Sequence, residues 1–238
     1  MTHTPIEAIT LMEESKKSFV YLLDVIGKNC GPERAKLLLE LLTHEEVRSK
    51  LLVAPASSSK SYHHAFEGGL LNHINQMTEI ALNFRESNPF LREQVSTESI
   101  VTVCVLHDIH KVCDHKGQPY YITNLLKSGK VSDAKPFKVS DENSNFEEHV
   151  SQYNDPVLDY YATISTIKPS GHLSMLTTMS YANQLFISLT DDEKFAIINH
   201  GGAYETSGYS LAGKENALQI MIHAADMLSS RYDDAKWK

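Results

Sequence analysis

Apolar residues recur at three- and four-residue intervals along most of this chain, and this spacing favours helices over strands. Four stripes of this kind run over residues 5–27, 69–84, 98–113 and 215–230. In the last of them, the residues expected to point inward are Leu218, Met221, Ile222, Ala225 and Leu228. No convincing sheet is indicated, and residues 119–123 form at most one short strand. The sequence therefore predicts an all-α fold with a sizeable buried core.

Breaks in the periodic pattern predict how the chain is organised. Residues 1–53 are expected to form an N-terminal helical extension packed on the core, and residues 54–238 the main domain. The segment 127–170 is rich in Lys, Ser, Asp and Asn and lacks sustained periodicity, which is typical of a long insertion near the mouth of a site. A chain of 238 residues approaches the upper limit for one hydrophobic core, so two tightly joined helical parts are the alternative to one domain.

Charge and cysteine content limit the classes of partner and compartment. The formal net charge of −8 argues against a protein that grips a long phosphate backbone, which requires clustered Lys and Arg. A small anionic substrate is still compatible with this charge, provided that metal ions concentrate positive charge locally. The odd number of cysteines and the lack of a long apolar run favour a reduced, cytoplasmic setting without membrane insertion.

Side chains that can bind a metal ion lie on apolar stripes whose other residues are typical of a protein core. They are His73, the doublet His107–Asp108, and Asp226. A single histidine on an apolar stripe is more often a hydrogen-bonded core residue than a ligand. Recurrence in three separate segments favours a metal, because an unpartnered buried carboxylate costs several kcal/mol and one shared cation would satisfy every group. Imidazoles and carboxylates together suit Mn, Fe, Co, Ni or Zn, with room left for water.

Several blocks of the sequence, taken in order, resemble a known family. They read YHHAFEGGLLNH at 62–73, LHDIHK at 106–111, PSGHLSM at 169–175, LTDDEKFAIINHGG at 189–202 and HAADML at 223–228. Together they resemble the HD superfamily of metal-dependent phosphohydrolases, whose signature is a His, a His-Asp doublet and a distant Asp. The later blocks resemble those of small bacterial and phage HD hydrolases, and the sequence is also similar to the HD domain of some bacterial 3′–5′ exoribonucleases. The resemblance spans roughly residues 54–230 and implies an HD-type helical bundle.

The resemblance implies roles for individual residues. Its core metal ligands correspond to His73, His107, Asp108 and Asp226. Asp108 would bridge two ions, and His172 and His200 match histidines that hold a second ion. Gly201 stands where members with two ions often have another histidine, so one and two ions per chain are both open. Lys111, four residues after His107, matches a lysine that steadies charge on a phosphoryl oxygen, which makes Asp108 and Lys111 the expected catalytic residues.

Substrate contacts are expected from His64, Lys111, His110, Tyr120 and Tyr204. His110 is open to three interpretations: a further ligand, a proton shuttle, or a surface histidine at the rim of the metal site. His63 and His64 either line the pocket or orient the ligands through hydrogen bonds. The two tyrosines either stack on a nucleobase or serve as packing residues. His223, one turn before Asp226, is expected to be a polar edge residue at most.

The expected function is hydrolysis of a phosphoester in a nucleotide by water that the metal activates. A mononucleotide, deoxynucleotide or cyclic nucleotide fits the acidic composition best. One alternative is a 3′–5′ exonuclease or phosphodiesterase acting on short single-stranded RNA or DNA. Another is a catalytically inactive module that binds a nucleotide, although the intact ligand set argues against it. The expected partner is thus a small nucleotide, and the sequence sets no oligomeric state.

Overall fold

The body of the protein is a helical bundle, which confirms the predicted all-α class. A computed structural model describes residues 5–57, 63–112, 121–126, 136–138, 157–162, 187–202 and 211–231. Its helices in these ranges are α1 (Pro5–Asn29), α2 (Pro32–Thr43), α3 (Glu45–Leu51), α4 (Gly69–Ser87), α5 (Pro89–Gln94), α6 (Thr97–Leu106), α7 (Asp191–Ile198) and α8 (Ala217–Arg231). None of these helices combines the length and the apolar character needed to cross a bilayer.

One hydrophobic core runs through the bundle, and α4 lies at its centre. Fully buried side chains of α1 and α2, such as Leu22 and Leu38, belong to the same cluster as Leu70 and Ile74 of α4. Helices α1, α6 and α8 all pack on α4. Each fully buried leucine stabilises the fold by about 1.5–3 kcal/mol through the hydrophobic effect. The apolar stripe of α4 therefore faces protein along its length, and a polar residue on that stripe is forced into the interior.

The helix starts follow from local capping chemistry. Thr190 accepts a hydrogen bond from the backbone N–H of Glu193, and the Glu193 carboxylate accepts one from the backbone N–H of Thr190. This reciprocal pair satisfies two backbone donors that α7 itself cannot use. Ser96 and Asn88 cap α6 and α5 in the simpler one-sided way. These caps fix where α6 and α7 begin; α6 ends next to His107 and α7 ends two residues before His200, both histidines of the site described below.

Residues 98–113 do not form one continuous helix, so that prediction is wrong. Helix α6 ends at Leu106, His107 is its C-cap, and residues Ile109–Lys111 form a single 3-10 turn. Asp108 between them has φ −121° and ψ 18°, outside the helical region. The apolar pattern continues through the break, since Ile109 and Val112 are buried. Local periodicity therefore could not reveal that the helix stops at the doublet.

A small antiparallel sheet also differs from the prediction of at most one short strand. Its strands are β1 (Tyr121–Leu126), β2 (Pro136–Lys138) and β3 (Val157–Ala162), with β1 in the middle. Leu125 is paired with Phe137 on one side and with Leu158 on the other. Two of the strands lie within the expected insertion at 127–170. The partner of β1 on β3 is more than thirty residues away in sequence, and a pattern confined to short windows does not detect such pairing.

Candidate metal centre

Four side chains from three elements meet in the interior. Helix α4 contributes His73, the end of α6 contributes His107 and Asp108, and α8 contributes Asp226. His73 Nε2 lies 3.2 Å from His107 Nε2 and 3.2 Å from Asp226 Oδ1. His107 Nε2 lies 3.3 Å from Asp108 Oδ2. Both histidines are fully buried and the Asp108 side chain is almost so, whereas the Asp226 side chain is 21% exposed.

These separations are the ones that ligands of a single ion have. Two ligand atoms that bind one ion at about 2.0–2.2 Å, at angles between octahedral and tetrahedral, lie roughly 3.0–3.4 Å apart. His73 Nε2 already lies 3.2 Å from both His107 Nε2 and Asp226 Oδ1, whereas Asp108 Oδ2 lies 3.3 Å from His107 Nε2 and 4.0 Å from His73 Nε2. His73, His107 and Asp226 could therefore hold a metal ion, with Asp108 beside them, as expected from the spacing of these residues in the sequence.

Two of the nearby imidazoles are oriented by the ends of the helices that carry them. His107 Nδ1 lies 2.8 Å from the carbonyl oxygen of Cys104, and His200 Nδ1 lies 2.8 Å from that of Ile197. Carbonyls in the last turn of a helix have no partner within the helix. A carbonyl only accepts, so Nδ1 of each histidine must carry the hydrogen. The lone pair of each ring is consequently on Nε2, the nitrogen on the side of Asp108.

The third imidazole is fixed by a short chain of hydrogen bonds. Ser229 donates its hydroxyl hydrogen to Gln76 Oε1 over 2.9 Å. The same hydroxyl oxygen lies 2.9 Å from His73 Nδ1 and has no second hydrogen to give, so His73 Nδ1 is the donor. The lone pair of His73 is therefore also on Nε2, next to Asp226. Ser229 is fully buried on α8, where the sequence pattern instead predicted Leu228, which is 43% exposed.

The result is a buried group of hydrogen-bond acceptors that face one another. The Nε2 lone pairs of His73 and His107 are 3.2 Å apart, and carboxylate oxygens of Asp108 and Asp226 lie next to them. Acceptors in contact repel unless a proton or a cation lies between them. Asp108 Oδ2 already accepts a hydrogen bond from Lys111, whereas a divalent cation would satisfy His73, His107 and Asp226 together and one proton only a single pair.

The charge states of the two carboxylates suit cation binding. Burial favours a protonated Asp108, but the nearby Lys111, His107 and His200 outweigh this and hold its pKa well below the usual range. Burial acts in the same way on Asp226, but the nearby imidazoles of His73, His200 and His107 together outweigh it, so its pKa is also lowered. Both carboxylates are therefore ionised at neutral pH, as metal ligands must be.

The two core histidines differ in their affinity for a proton. Burial lowers the pKa of His73, although the nearby carboxylate of Asp226 acts in the opposite direction. Burial also disfavours the charged form of His107, but the carboxylates of Asp108 and Asp226 overcome it and raise its pKa. A proton bound to His107 therefore competes with a metal ion for the same lone pair, and the ion must displace it to bind. Metal affinity is accordingly expected to fall as the pH decreases.

Lys111 and His200 each lie next to a different oxygen of the Asp108 carboxylate. Lys111 Nζ donates to Asp108 Oδ2 and to the carbonyl oxygen of Ala56, both over 2.6 Å. His200 Nε2 lies 3.9 Å from Asp108 Oδ1. Lys111 therefore holds the carboxylate in place, from a 3-10 turn and not from the shared helical face that the sequence suggested. His200 is next to the cluster, where the resemblance placed a ligand of a second ion.

Substitution of Ser229 by Ala is expected to weaken the binding of Mn²⁺ roughly 10–100-fold, as other losses of a ligand's hydrogen-bond partner do. Without the hydroxyl, His73 Nδ1 loses its acceptor, and the ring is free to rotate or to exchange its tautomer. Titration calorimetry would measure the change. Ser230→Ala is the matched control, because the Ser230 hydroxyl bonds to the Met227 carbonyl on the exposed side of α8. Equal affinities in the two variants would contradict this role of Ser229.

Two histidines before α4 lie against His73. The ring centroids of His63 and His64 are 4.9 Å and 5.8 Å from that of His73. His64 has φ +48°, the only positive value of a non-glycine residue in the described ranges. A Cβ on Gly69 would lie 2.0 Å from the His64 carbonyl oxygen, so only glycine allows this segment to fold back onto α4. The Gly-Gly pair in YHHAFEGGLLNH therefore brings the two histidines to the centre.

His110 is fully buried, so its interpretation as a surface histidine is wrong. Burial, partly opposed by Asp108, lowers its pKa to about 3, and the ring is neutral at physiological pH. His223 also does more than an edge residue would. Its Nδ1 donates to the His200 carbonyl oxygen over 2.8 Å, which ties α8 to the end of α7. Sequence patterns gave no indication of this link.

Gly202→Ala is expected to lower the free energy of unfolding more than Gly213→Ala does. Both glycines have positive φ, 56° and 78°, which costs an alanine about 1–2 kcal/mol. A Cβ on Gly202 would also lie 2.5 Å from the ring of His223, whereas nothing lies within 4 Å of one on Gly213. Such overlap adds roughly 1–3 kcal/mol. Urea unfolding of the two variants separates the cost of the positive φ from the cost of the overlap. Equal decreases in the free energy of unfolding would refute the close contact with His223.

Three predicted site residues, His172, Tyr120 and Tyr204, lie outside the described residues. Their assigned roles stay predictions. Two residues that orient ligands, Ser229 and Gln76, were missed from the sequence. A signal for Ser229 existed, because it is a polar residue three positions after Asp226 on a helix with a strong apolar stripe. Gln76 offered no comparable signal, since a polar residue one turn after His73 is ordinary on a partly exposed helix.

Comparisons of this chain with protein-family models, with curated proteins and with solved structures found no match.

Proposed function

We propose that this protein is a metal-dependent phosphohydrolase that hydrolyses a phosphoester of a small nucleotide. One observation carries the proposal. The imidazoles of His73 and His107 are held with their Nε2 lone pairs facing the carboxylates of Asp108 and Asp226, at the separations of ligands on one ion. Burying these acceptors against one another costs the fold free energy, and Lys111 offsets that cost only at Asp108. A bound cation explains the arrangement.

The donor set fits a first-row divalent ion such as Mn, Fe, Co, Ni or Zn, since imidazole and carboxylate together suit these metals. When bound, such an ion supplies Lewis acidity and lowers the pKa of a coordinated water, so that this water can attack phosphorus near neutral pH. His73, His107, Asp108 and Asp226 would hold the ion. His200, beside Asp108 Oδ1, would take part in holding a second ion if two are used.

The remaining groups have roles that their contacts support. Lys111 orients Asp108 and brings a positive charge to the centre, which stabilises negative charge that develops on a phosphoryl oxygen. As the oxygen of water bonds to phosphorus, the bond from phosphorus to the leaving oxygen breaks. His110 is neutral and buried beside the doublet, and its pKa of about 3 disfavours a role as proton acceptor near neutral pH.

Access to the centre favours a small substrate. Asp226 is the most exposed of the four ligands, so the centre opens towards solvent on the side of α8. His64, which is nearly buried next to His73, would contact a substrate that enters there. The net charge of −8 disfavours a long nucleic acid strand and leaves a mononucleotide, deoxynucleotide or cyclic nucleotide as the best candidate.

The test is a panel of substrates with the metal controlled. Protein stripped with a chelator and then supplied with Mn²⁺ would be incubated with nucleoside mono-, di- and triphosphates, cyclic nucleotides and short oligonucleotides, and release of phosphate and of nucleosides would be followed separately. We expect hydrolysis of one nucleotide class that chelator abolishes. Release of mononucleotides from oligonucleotides alone would indicate an exonuclease. Tight nucleotide binding without any turnover would indicate an inactive module and refute the proposal.

A further inference from the structure

A second group of metal-competent atoms overlaps the centre. One ring nitrogen from each of His63, His64 and His73 lies within 4.8 Å of the other two. The ring centroids of His63 and His64 are 5.7 Å apart, and both rings also contact His73. This group, the histidine triad, contains three imidazoles and no carboxylate, so its chemistry differs from that of the cluster around Asp226.

The backbone, and not the rings, fixes the first two members of the triad. The Ser57 hydroxyl donates to the His63 carbonyl oxygen over 2.5 Å, and the Ala56 N–H donates to the His64 carbonyl oxygen over 3.1 Å. His63 Nε2 is buried and makes no hydrogen bond to any residue of the described ranges. A buried polar atom left without a partner costs about 1–3 kcal/mol. The backbone hydrogen bonds therefore hold the His63 ring next to His73, although no hydrogen bond of the buried Nε2 atom contributes to that position.

We propose that the histidine triad is an alternative position for a borderline-soft divalent cation such as Zn²⁺, which would take three imidazole nitrogens. The preference follows from the donor set, because imidazole suits Zn and Cu, whereas carboxylate oxygen suits Mn and Mg. Nitrogens on one tetrahedral zinc ion lie roughly 3.3–3.4 Å apart. The three nitrogens lie within 4.8 Å of one another, so binding would require His63 and His64 to rotate about their side-chain bonds towards that separation.

The two positions exclude each other. His73 Nδ1 carries the hydrogen bonded to Ser229, so His73 has only the Nε2 lone pair to give, and one lone pair binds one ion. An ion in the triad therefore removes His73 from the cluster with His107 and Asp226. Excess Zn²⁺ would move His73 away from the arrangement used in hydrolysis and would inhibit it. This inference rests on the proposed function in that it takes His73 as a ligand of the catalytic ion.

The experiment compares the affinities for Zn²⁺ and Mn²⁺ in the whole chain and in three variants. They are Asp226→Asn, the double variant His63→Ala/Asp226→Asn and, as a control, His44→Ala/Asp226→Asn. Zn²⁺ affinity would be measured by competition with a chromophoric chelator, and Mn²⁺ affinity by calorimetry. His63 and Asp226 are both partly exposed, so these changes leave the core intact, whereas His44 is an exposed N-cap far along the chain from the site.

We expect Asp226→Asn to weaken Mn²⁺ binding at least about tenfold and to retain tight Zn²⁺ binding. Adding His63→Ala should then weaken Zn²⁺ binding by roughly another tenfold or more, and adding His44→Ala should not. Equal Zn²⁺ affinities in the His63 and His44 double variants would overturn the inference. Absence of Mn²⁺ binding or of hydrolysis in the unmodified protein would count against the proposed function alone, because the zinc comparison is made between variants that lack Asp226.

Discussion

Replacement of Asp108 by Asn is expected to lower the rate of metal-dependent hydrolysis by roughly 10³-fold. The metal supplies several kcal/mol of charge stabilisation in the transition state, and each 1.36 kcal/mol corresponds to a factor of ten. Asp108 contacts both His107 and Lys111 through Oδ2, and Oδ1 lies towards His200. The asparagine amide has the same shape but no negative charge, so His107, Lys111 and His200 all lose the anionic partner next to them. Steady-state kinetics at saturating Mn²⁺ would measure the effect.

The matched control for Asp108→Asn is Asp191→Asn, the same chemical change at a side chain that is 99% exposed on α7. Its hydrolytic rate should equal that of the unmodified protein. The stability of Asp108→Asn must be checked by thermal unfolding, because the mostly buried Lys111 ammonium loses its ion pair. A folded Asp108→Asn protein with an unchanged rate would show that the hydrolytic centre is elsewhere.

Mn²⁺ is expected to raise the melting temperature of the protein by roughly 5–10 °C when its concentration is a hundred times its Kd. Binding to the folded state alone adds about 2.7 kcal/mol to the free energy of unfolding at that concentration. A domain of this size gains about 2–4 °C for each kcal/mol. The cluster exists only in the folded chain, because α4, α6 and α8 bring its ligands together from distant parts of the sequence. Differential scanning calorimetry with and without Mn²⁺ would give the shift.

Two controls separate this stabilisation from general salt effects. Mg²⁺ at the same ionic strength should shift the melting temperature much less, since Mg²⁺ takes oxygen ligands and gives up its hydration water reluctantly, whereas this site includes two imidazoles. In Asp226→Asn the Mn²⁺-dependent shift should largely disappear. The shift should also diminish as the pH falls, because the carboxylates raise the pKa of His107 and its proton then competes with the ion. A shift that is equal for both ions and independent of Asp226 would contradict the proposed centre.

The sequence predicted the helices well where packing follows a regular stripe. The stripe of α4 places His73 among buried apolar residues, and the structure has it fully buried there. The capping box of Thr190 and Glu193 also forms as the sequence indicates. Such features depend on residues within one or two turns of each other, so a short window contains all the information needed.

Predictions failed where contacts between distant segments decide the outcome. The apolar pattern of α6 continues past Leu106, yet the helix ends there and presents the His107–Asp108 doublet to α4 and α8. On α8, both Leu228 and Ser229 fit a helical stripe next to Ala225, and the polar one is buried because it bonds to His73 and Gln76. Partners as far apart as His73 and His107, 34 residues along the chain, cannot be deduced from spacing along one helix.

The sequence by itself indicated which chemical groups lie on its apolar stripes: His73, the doublet His107–Asp108, and Asp226. Only the tertiary structure decided which atoms of those groups meet. Free carbonyls at two helix ends and the hydroxyl of Ser229 hold the Nδ1 hydrogens of the histidines, and this leaves the Nε2 lone pairs directed at the carboxylates. The reason is physical, since a ring's orientation depends on the partner of its second nitrogen, and those partners come from the folded backbone and from another helix.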